Sequence, residues 1–170
     1  MGLQLKWSRA ELLEARDQYL ADTSQMARER RAFEAGARMR TGKVDLGDFY
    51  AIVDWKSSRP KSLIERGNDP EDILDALRIA VTTSRERSAV AILCGLYGVN
   101  VRMASAVSTA IHPERYTVID VRALDALGVR KAWSTVDDYL EYLRFCQDHA
   151  TRIDLSLRDF DRALWVLGRP

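Results

Sequence analysis

Apolar residues along this chain recur mostly every three or four positions, which is the spacing of one buried helix face. The first such segment opens at Ser8 with Glu11 three residues later, a pair typical of a capping box. The pattern predicts a helix that runs to Thr41-Gly42 and is broken near Thr23-Ser24. Strand-like alternation extends no further than Tyr116 to Ile119. We therefore predict an all-α fold, a compact helical domain in which two small lobes can flank a cleft.

Further helix starts follow along the chain. A second helix begins at Asp45 or Gly47 and ends near Ser57-Ser58-Arg59, because Pro60 disfavours helical geometry in the residue before it. Asn68-Asp69-Pro70 combines a cap with a proline at the first helical position, and it predicts another helix. The remaining predicted N-caps, in chain order, are Thr83 or Ser84, Asp120, Thr135 and Ser156.

The total charge of the chain is close to zero, but the charged residues are distributed unevenly along it. The 170 residues carry a formal net charge of +1, so binding to a polyanion must rely on local patches and backbone amides. The segment from Ala27 to Lys43 is locally basic, and this pattern is more typical of a solvated helix face than of a phosphate contact. Its charged residues are Arg28, Arg30, Arg31, Arg38, Arg40 and Lys43 against Glu29 and Glu34.

Cysteine content and hydropathy limit the metal sites, cofactors, cellular location and membrane segments that can be expected. Cys94 and Cys146 lie far apart in apolar helical contexts and are predicted to be buried thiols. We predict no metal site and no cofactor, because two cysteines cannot build a four-thiolate cluster. The chain opens without a charged-then-apolar leader, and no apolar run reaches spanning length, so we expect a cytoplasmic protein without a membrane partner.

Candidate chemistry concentrates between Leu93 and Arg122. Two apolar-periodic segments flank a tight corner at Tyr97-Gly98-Val99-Asn100-Val101. A corner at a helix N-terminus can hold one phosphate through its backbone N–H groups. A single carboxylate, Asp120, follows the apolar run Val118-Ile119 at the start of the next predicted helix. The arrangement predicts a phosphate anchor with an acid beyond it that can act on the nucleotide so held.

The stretch from Leu93 to Ala104, LCGLYGVNVRMA, resembles the helix-hairpin-helix of the DNA glycosylase superfamily typified by endonuclease III. There the pattern is Leu-x-x-Leu-Pro-Gly-Val-Gly, two further residues, then Thr-Ala. Asp120 follows Arg102 by 18 positions, which matches the separation between hairpin and catalytic aspartate in that branch. The likeness covers Leu93 to Gly128 well and Asp45 to Arg59 loosely. It implies one glycosylase-like domain over 1–170, with an N-terminal helical extension (1–44), a core (45–128) and C-terminal helices (129–170).

Two residues depart from the family pattern. Asn100 replaces the second glycine of the hairpin, and asparagine tolerates positive φ better than most residues. Arg102 stands where bifunctional members carry the lysine that forms a Schiff base, and an arginine cannot serve as that nucleophile.

The resemblance implies a reaction as well as a fold. The enzyme would rotate a damaged or modified base out of duplex DNA into a pocket. The DNA-binding residues are then Gly98, Val99, Asn100, Val101 and Arg102. Asp120 is the implied catalytic residue, which stabilises the oxocarbenium-like sugar and activates water. The expected enzyme is a monofunctional glycosylase and a monomer, and its product is an abasic site with an intact backbone.

Base-pocket candidates come from the loosely similar helix, where family members line the pocket with the helix end. They are Trp55, Lys56, Ser58 and Arg59; the ring of Trp55 can stack on an extruded base, although a helical tryptophan more often belongs to the core. Lys56 can contact a phosphate or a base edge, or it can offer an alternative amine nucleophile if burial depresses its pKa. Arg122, a possible partner of Asp120 or Asp125, and Tyr116 are supporting residues.

Two other interpretations stay open at this point. Asp120 is also a good N-cap for the helix that follows it, and capping is compatible with catalysis. The chain can instead be a non-catalytic helix-hairpin-helix module that binds DNA within a larger assembly, or a helical domain with no nucleic-acid role. The identity of the base, and the choice between repair and excision of hypermodified phage bases in antiphage defence, lie beyond the sequence.

Overall fold

In the computed structural model, residues 2–129 and 133–168 are described, and these ranges contain ten helices and no strand. The all-α prediction is confirmed. Within the same ranges, no helix combines the length and the apolar character needed to cross a membrane. The helices are α1 (Arg9–Ala21), α2 (Thr23–Arg40), α3 (Leu46–Lys56), α4 (Lys61–Gly67), α5 (Pro70–Thr82), α6 (Glu86–Cys94), α7 (Val101–Ile111), α8 (Val121–Ala126), α9 (Val136–Arg152) and α10 (Leu157–Leu167).

Most helices begin at the predicted caps. Ser8 and Glu11 form the capping box of α1, and side chains of Asp45, Asp69, Asp120, Thr135 and Ser156 accept N-terminal backbone hydrogen bonds of their helices. The predicted Thr83 or Ser84 cap is wrong. Helix α6 begins at Glu86 with Arg85 as its N-cap, and the Thr83 hydroxyl instead accepts the Arg85 N–H in the preceding turn.

The predicted break in the first long helical segment falls at Asp22. This residue ends α1, and its Oδ1 accepts the N–H groups of Ser24 and Gln25 at the start of α2. The side-chain acceptor satisfies amides that have no partner within the new helix. One helix therefore ends and the next begins here without a glycine.

Helix α7 lies at the centre of the molecule, and of its side chains only Arg102 is not buried. Helices α2, α3, α5, α6 and α9 pack against it. The backbones of α2 and α7 approach each other closely at Gly36 of α2, where an added Cβ would lie 1.9 Å from the carbonyl oxygen of Ala110. Glycine is required at this crossing because any side chain would overlap the backbone of α7.

The extended segment that leads to Asp120 is fixed by hydrogen bonds from the surrounding helices. The Tyr139 and Tyr142 hydroxyls of α9 donate to the carbonyls of Thr117 and Val118 at 3.0 and 3.1 Å. The Ile119 N–H donates to the Ser105 hydroxyl of α7 at 3.1 Å. Helices thus supply the partners that a neighbouring strand would otherwise provide.

Candidate functional site

The α6–α7 turn places a left-handed residue at Gly98. Its φ is +84°, and an added Cβ would lie 3.0 Å from Cγ1 of Ile64 in α4, so both conformation and space favour glycine. Asn100 does not adopt the positive φ allowed for it: its φ is −94°. It caps α7 instead, because its Oδ1 accepts the Met103 N–H at 3.0 Å.

Several backbone amides of this turn remain available. The Val99 N–H donates to the Leu96 carbonyl at 3.1 Å. Within the described part of the chain, no acceptor lies opposite the N–H groups of Gly98, Asn100, Val101 and Arg102. The side chains of Val99 and Val101 are buried in the core, so these two residues can contact a ligand only through their backbones.

Asn68 attaches this turn to the α4–α5 connection. Its Oδ1 accepts the Tyr97 N–H at 2.7 Å, and its Nδ2 donates to the Tyr97 carbonyl at 2.9 Å and to the Ile64 carbonyl at 2.8 Å. One side-chain amide thereby fixes both polar groups of a residue in the turn. The sequence pattern around Asn68 indicates only a helix start and does not reveal this contact.

Asp120 is held by two groups at once. Its Oδ1 accepts the Ala123 N–H of α8 at 2.9 Å, and its Oδ2 accepts from Nζ of Lys56 at 3.2 Å. The side chains of Asp120 and Lys56 are 14% and 17% exposed, so the pair is partly shielded from water but still open to a ligand. The capping role is present, and it leaves the second oxygen facing the lysine.

Two cavities meet at this ion pair, because Lys56 and Asp120 line both. The outer cavity measures about 510 Å³, and its wall includes Gly98, Asn100 and Arg102 of the α6–α7 turn. The inner cavity measures about 180 Å³ and extends toward α1, α2 and α10. Residues that line the inner cavity besides the pair include Tyr19, Gln25, Arg28, Trp55, Asp161 and Trp165.

The predicted pocket and supporting residues are distributed unevenly. Trp55 lines the inner cavity and Arg59 the outer one, whereas Ser58 is exposed and lines neither. Arg122 lines the outer cavity but pairs with neither Asp120 nor Asp125; its guanidinium lies 4.2 Å from the centroid of the Trp165 ring. Tyr116 is buried away from both cavities, and its hydroxyl has no hydrogen-bond partner in the described ranges.

A buried ionic network behind the inner cavity escaped the sequence analysis. Glu29 of α2 accepts hydrogen bonds from Arg158 and Arg162 of α10 and from the Tyr19 hydroxyl. Burial works to raise the pKa of Glu29, but the two guanidiniums outweigh it and lower that pKa to about 2. The available signal was the Arg158, Asp161 and Arg162 spacing, which puts all three on one face of α10.

Asp161 belongs to the same network and reaches the inner cavity. Its Oδ2 accepts from the Arg158 guanidinium and from the Val118 N–H at 3.5 Å. Burial raises the pKa of Asp161 to about 6, against the lowering effect of Arg158, and the Asp120 carboxylate adds to the rise. The cavity therefore contains two carboxyl groups in different environments.

The basic segment of α2 divides between two roles. Arg38 pairs with Asp48 at 2.5 Å and Arg40 lies 3.8 Å from Glu114, both near the surface, whereas Arg28 lines the inner cavity.

Among the described residues, no group of three or more His, Cys, Asp or Glu side chains is arranged to hold a metal ion. In comparisons with known proteins, the chain matches no family model, no curated protein and no solved structure.

Proposed function

We propose that this chain is a monofunctional DNA glycosylase that hydrolyses the N-glycosidic bond of a damaged or modified base. One observation carries the proposal: the Asp120 carboxylate lies where a cavity walled by the α6–α7 turn meets a smaller cavity walled by aromatic rings. A glycosylase needs a phosphate anchor, a reacting carboxylate and a base pocket in this order. The likeness of the α6–α7 turn to a helix-hairpin-helix supports the same function.

The outer cavity supplies the DNA anchor. The amides of Gly98, Asn100, Val101 and Arg102 lie at the N-terminus of α7, where the helix dipole favours an anion. Arg102 and Arg59 line the same cavity and add charge-assisted contacts to phosphate oxygens. Such contacts position a strand without reading its sequence.

The inner cavity receives the extruded base. An engineered protein cavity of about 150 Å³ admits benzene, so a cavity of this scale is large enough for an aromatic ring. Trp55 and Trp165 line this cavity with aromatic surface, and Arg122 lies over one face of the Trp165 ring. Contact with aromatic surface suits an extruded base, because every base has a π-face. Gln25 and Arg28 provide hydrogen-bonding groups on the same wall, where base selectivity would arise.

Asp120 acts on the sugar between these two sites. As the base departs, positive charge develops on the deoxyribose, and a fixed carboxylate stabilises that charge. The Ala123 N–H and the Lys56 ammonium hold the carboxylate in one orientation, so little reorganisation accompanies the reaction. Arg102 replaces the lysine that would attack the sugar, and the product is an abasic site with an intact strand.

A panel of duplexes, each with one lesion or phage-type modified base, tests the proposal. After incubation with the protein, alkali cleaves the strand at any abasic site. We expect cleavage with at least one duplex, and we expect Asp120→Asn to abolish it while retaining affinity for abasic DNA. Asp125→Asn, an exposed residue of the same helix, is the matched control.

The non-catalytic DNA-binding module is the alternative, and the free amides of the turn favour it equally. It predicts binding to duplex DNA without cleavage on any substrate, and equal affinity for the wild type and Asp120→Asn. Absence of DNA binding by the wild type would reject both functions.

A further inference from the structure

The inner cavity holds a second carboxyl group that the reaction described above does not use. Asp161 is almost fully buried on α10, and both of its described hydrogen bonds reach Oδ2. Asp161 lines the same 180 Å³ cavity as Asp120, Lys56 and Trp55, and it is therefore available to a group bound there.

The charged surroundings of Asp161 differ from those of Asp120. Arg158 touches Asp161, but Glu29 shares that guanidinium, so its positive charge is divided between two acids. Lys56 forms its ion pair with Asp120, and its more distant charge has only a minor lowering effect on the pKa of Asp161. The further titratable or charged groups on the surrounding elements are Tyr19 of α1, Arg28 of α2, Arg122 of α8, Tyr139, Tyr142 and Cys146 of α9, and Arg162 of α10.

These surroundings keep a proton on Asp161 more readily than on an ordinary aspartic acid. Burial raises its pKa to about 6, and the nearby Asp120 carboxylate contributes to the rise. The three α9 groups stay neutral, because burial raises the pKa values of Tyr139, Tyr142 and Cys146 well above their usual range. A base that fills the cavity excludes more water, which favours the protonated acid further.

We propose that Asp161 is the general acid of this glycosylase and that its substrates are uncharged bases, which depart only after they take up a proton. The inference rests on the proposed function and divides its chemistry between two carboxyl groups. Asp120 acts on the sugar, and Asp161 acts on the base. Two acids whose environments differ in this way are suited to opposite proton-transfer roles.

The proton and electron changes balance over one turnover. Asp161 gives its carboxyl proton to a ring nitrogen or carbonyl oxygen of the base. The C1′–N bond breaks, its electron pair passes to the base, and the base leaves as a neutral molecule. Water adds to C1′ and gives a proton to Asp120, which releases it to solvent. Asp161 regains a proton from solvent, so one water is consumed and both acids return to their starting forms.

The pH dependence of the wild-type enzyme is the first test. Single-turnover rates are measured from about pH 5 to about pH 9 on duplexes with one uracil, hypoxanthine, 8-oxoguanine or 5-hydroxymethylcytosine. We expect the rate on a neutral base to fall about tenfold per pH unit once Asp161 is ionised, that is, above about pH 6. A single-turnover rate that does not change with pH would overturn the inference. This test uses only the wild-type protein, so its outcome does not depend on whether a variant folds.

Asp161→Asn is the second test, with Asp125→Asn as the control. On the neutral base we expect a loss of about 100-fold or more and no remaining pH dependence. A duplex with 7-methylguanine, which is already cationic, should react at a rate within about threefold of the wild type if it is a substrate. Thermal unfolding and affinity for an abasic duplex check that the variant is folded.

The outcomes separate the two proposals. Equal rates of Asp161→Asn and the control on a neutral base would remove Asp161 as the acid and leave the glycosylase intact. Release of 7-methylguanine alone by the wild type would overturn the assignment of neutral substrates in the same way. Cleavage of no duplex at all would reject the glycosylase, and this inference with it.

Discussion

Nζ of Lys56 lies 3.2 Å from Oδ2 of Asp120, so the last residue of α3 meets the N-cap of α8 at the junction of the two cavities. This contact joins residues that are 64 positions apart in the chain. The carboxylate thereby gains a cationic partner inside a site that is partly closed to water, where charge interactions are stronger than at the surface.

Lys56→Met tests this pair. We expect the single-turnover rate to fall about 10- to 100-fold, because Asp120 loses the group that fixes its second oxygen. Lys61→Met is the matched control, since Lys61 forms a surface pair with Asp54 at 2.9 Å, and it should leave the rate unchanged. Borohydride should trap no protein–DNA complex with the wild type. A trapped complex that Lys56→Met abolishes would contradict the monofunctional mechanism and identify Lys56 as a nucleophile.

Asn68→Ala tests the attachment of the turn. Loss of three hydrogen bonds should loosen the peptide of Tyr97 and weaken binding to an abasic duplex about tenfold, with little change in rate at saturating protein. Asp69→Ala removes the cap of α5 without touching Tyr97, so it should cost about 1 kcal/mol of stability and leave DNA affinity intact. Equal affinities of the two variants would contradict a positioning role for Asn68.

Arg102→Ala tests the phosphate contact through salt dependence. Removal of one phosphate contact should reduce the slope of log affinity against log salt by about one, with a uniform loss over different sequences. Arg66→Ala, an exposed residue of α4, should leave the slope as in the wild type. An unchanged slope for Arg102→Ala would place the DNA backbone elsewhere.

Glu29→Gln tests the buried network through stability. The pKa of Glu29 falls from 4.5 to about 2 on folding, so its contribution is complete above about pH 4.5 and is lost as the pH falls toward about 2. That shift corresponds to stability on the order of 3 kcal/mol. The raised pKa of Asp161 acts in the opposite direction: its contribution is complete below pH 3.8 and is lost as the pH rises through about 6.

Urea unfolding of the wild type and Glu29→Gln from about pH 3 to about pH 7 isolates the Glu29 contribution. The variant should be less stable by on the order of 3 kcal/mol at pH 7, because two guanidiniums lose their buried partner, and the difference should shrink in acid. Glu71→Gln, at an exposed position of α5, is the control. A constant difference over this range would mean that the pKa of Glu29 does not change on folding.

The elements that could be predicted from the sequence are those with local causes. Asp45, Asp69, Asp120 and Ser156 lie directly before their helices, and a cap acts on amides two or three residues away. Helix α4 was not predicted as a separate element, because it has seven residues and its N-cap, Pro60, makes no side-chain hydrogen bond.

The candidate site could not be predicted in full, because its residues meet through contacts between parts of the chain that are distant in sequence. Glu29 and Arg158 are 129 positions apart, and the run of arginines around Glu29 resembles an ordinary solvated face. The sequence suggested Asp120 or Asp125 as the partner of Arg122. In the folded chain, the Arg122 guanidinium makes a cation–π contact with the Trp165 ring instead. The packing of α10 against α1, α8 and α9 helps to bring these groups to the cavity.

For the glycosylase proposed above, the glycine at position 36 has a consequence for which nucleotide would react. Helix α2 carries Arg28 at the inner cavity, the unbonded amides of the α6–α7 turn lie at the start of α7, and the backbones of the two helices are in contact at Gly36 and Ala110. With no side chain between the helices at this crossing, we expect the distance from the phosphate anchor to the base pocket to be constant. A DNA strand bound at that anchor would then present only the nucleotide at one offset from the bound phosphate, so we expect excision in a single register.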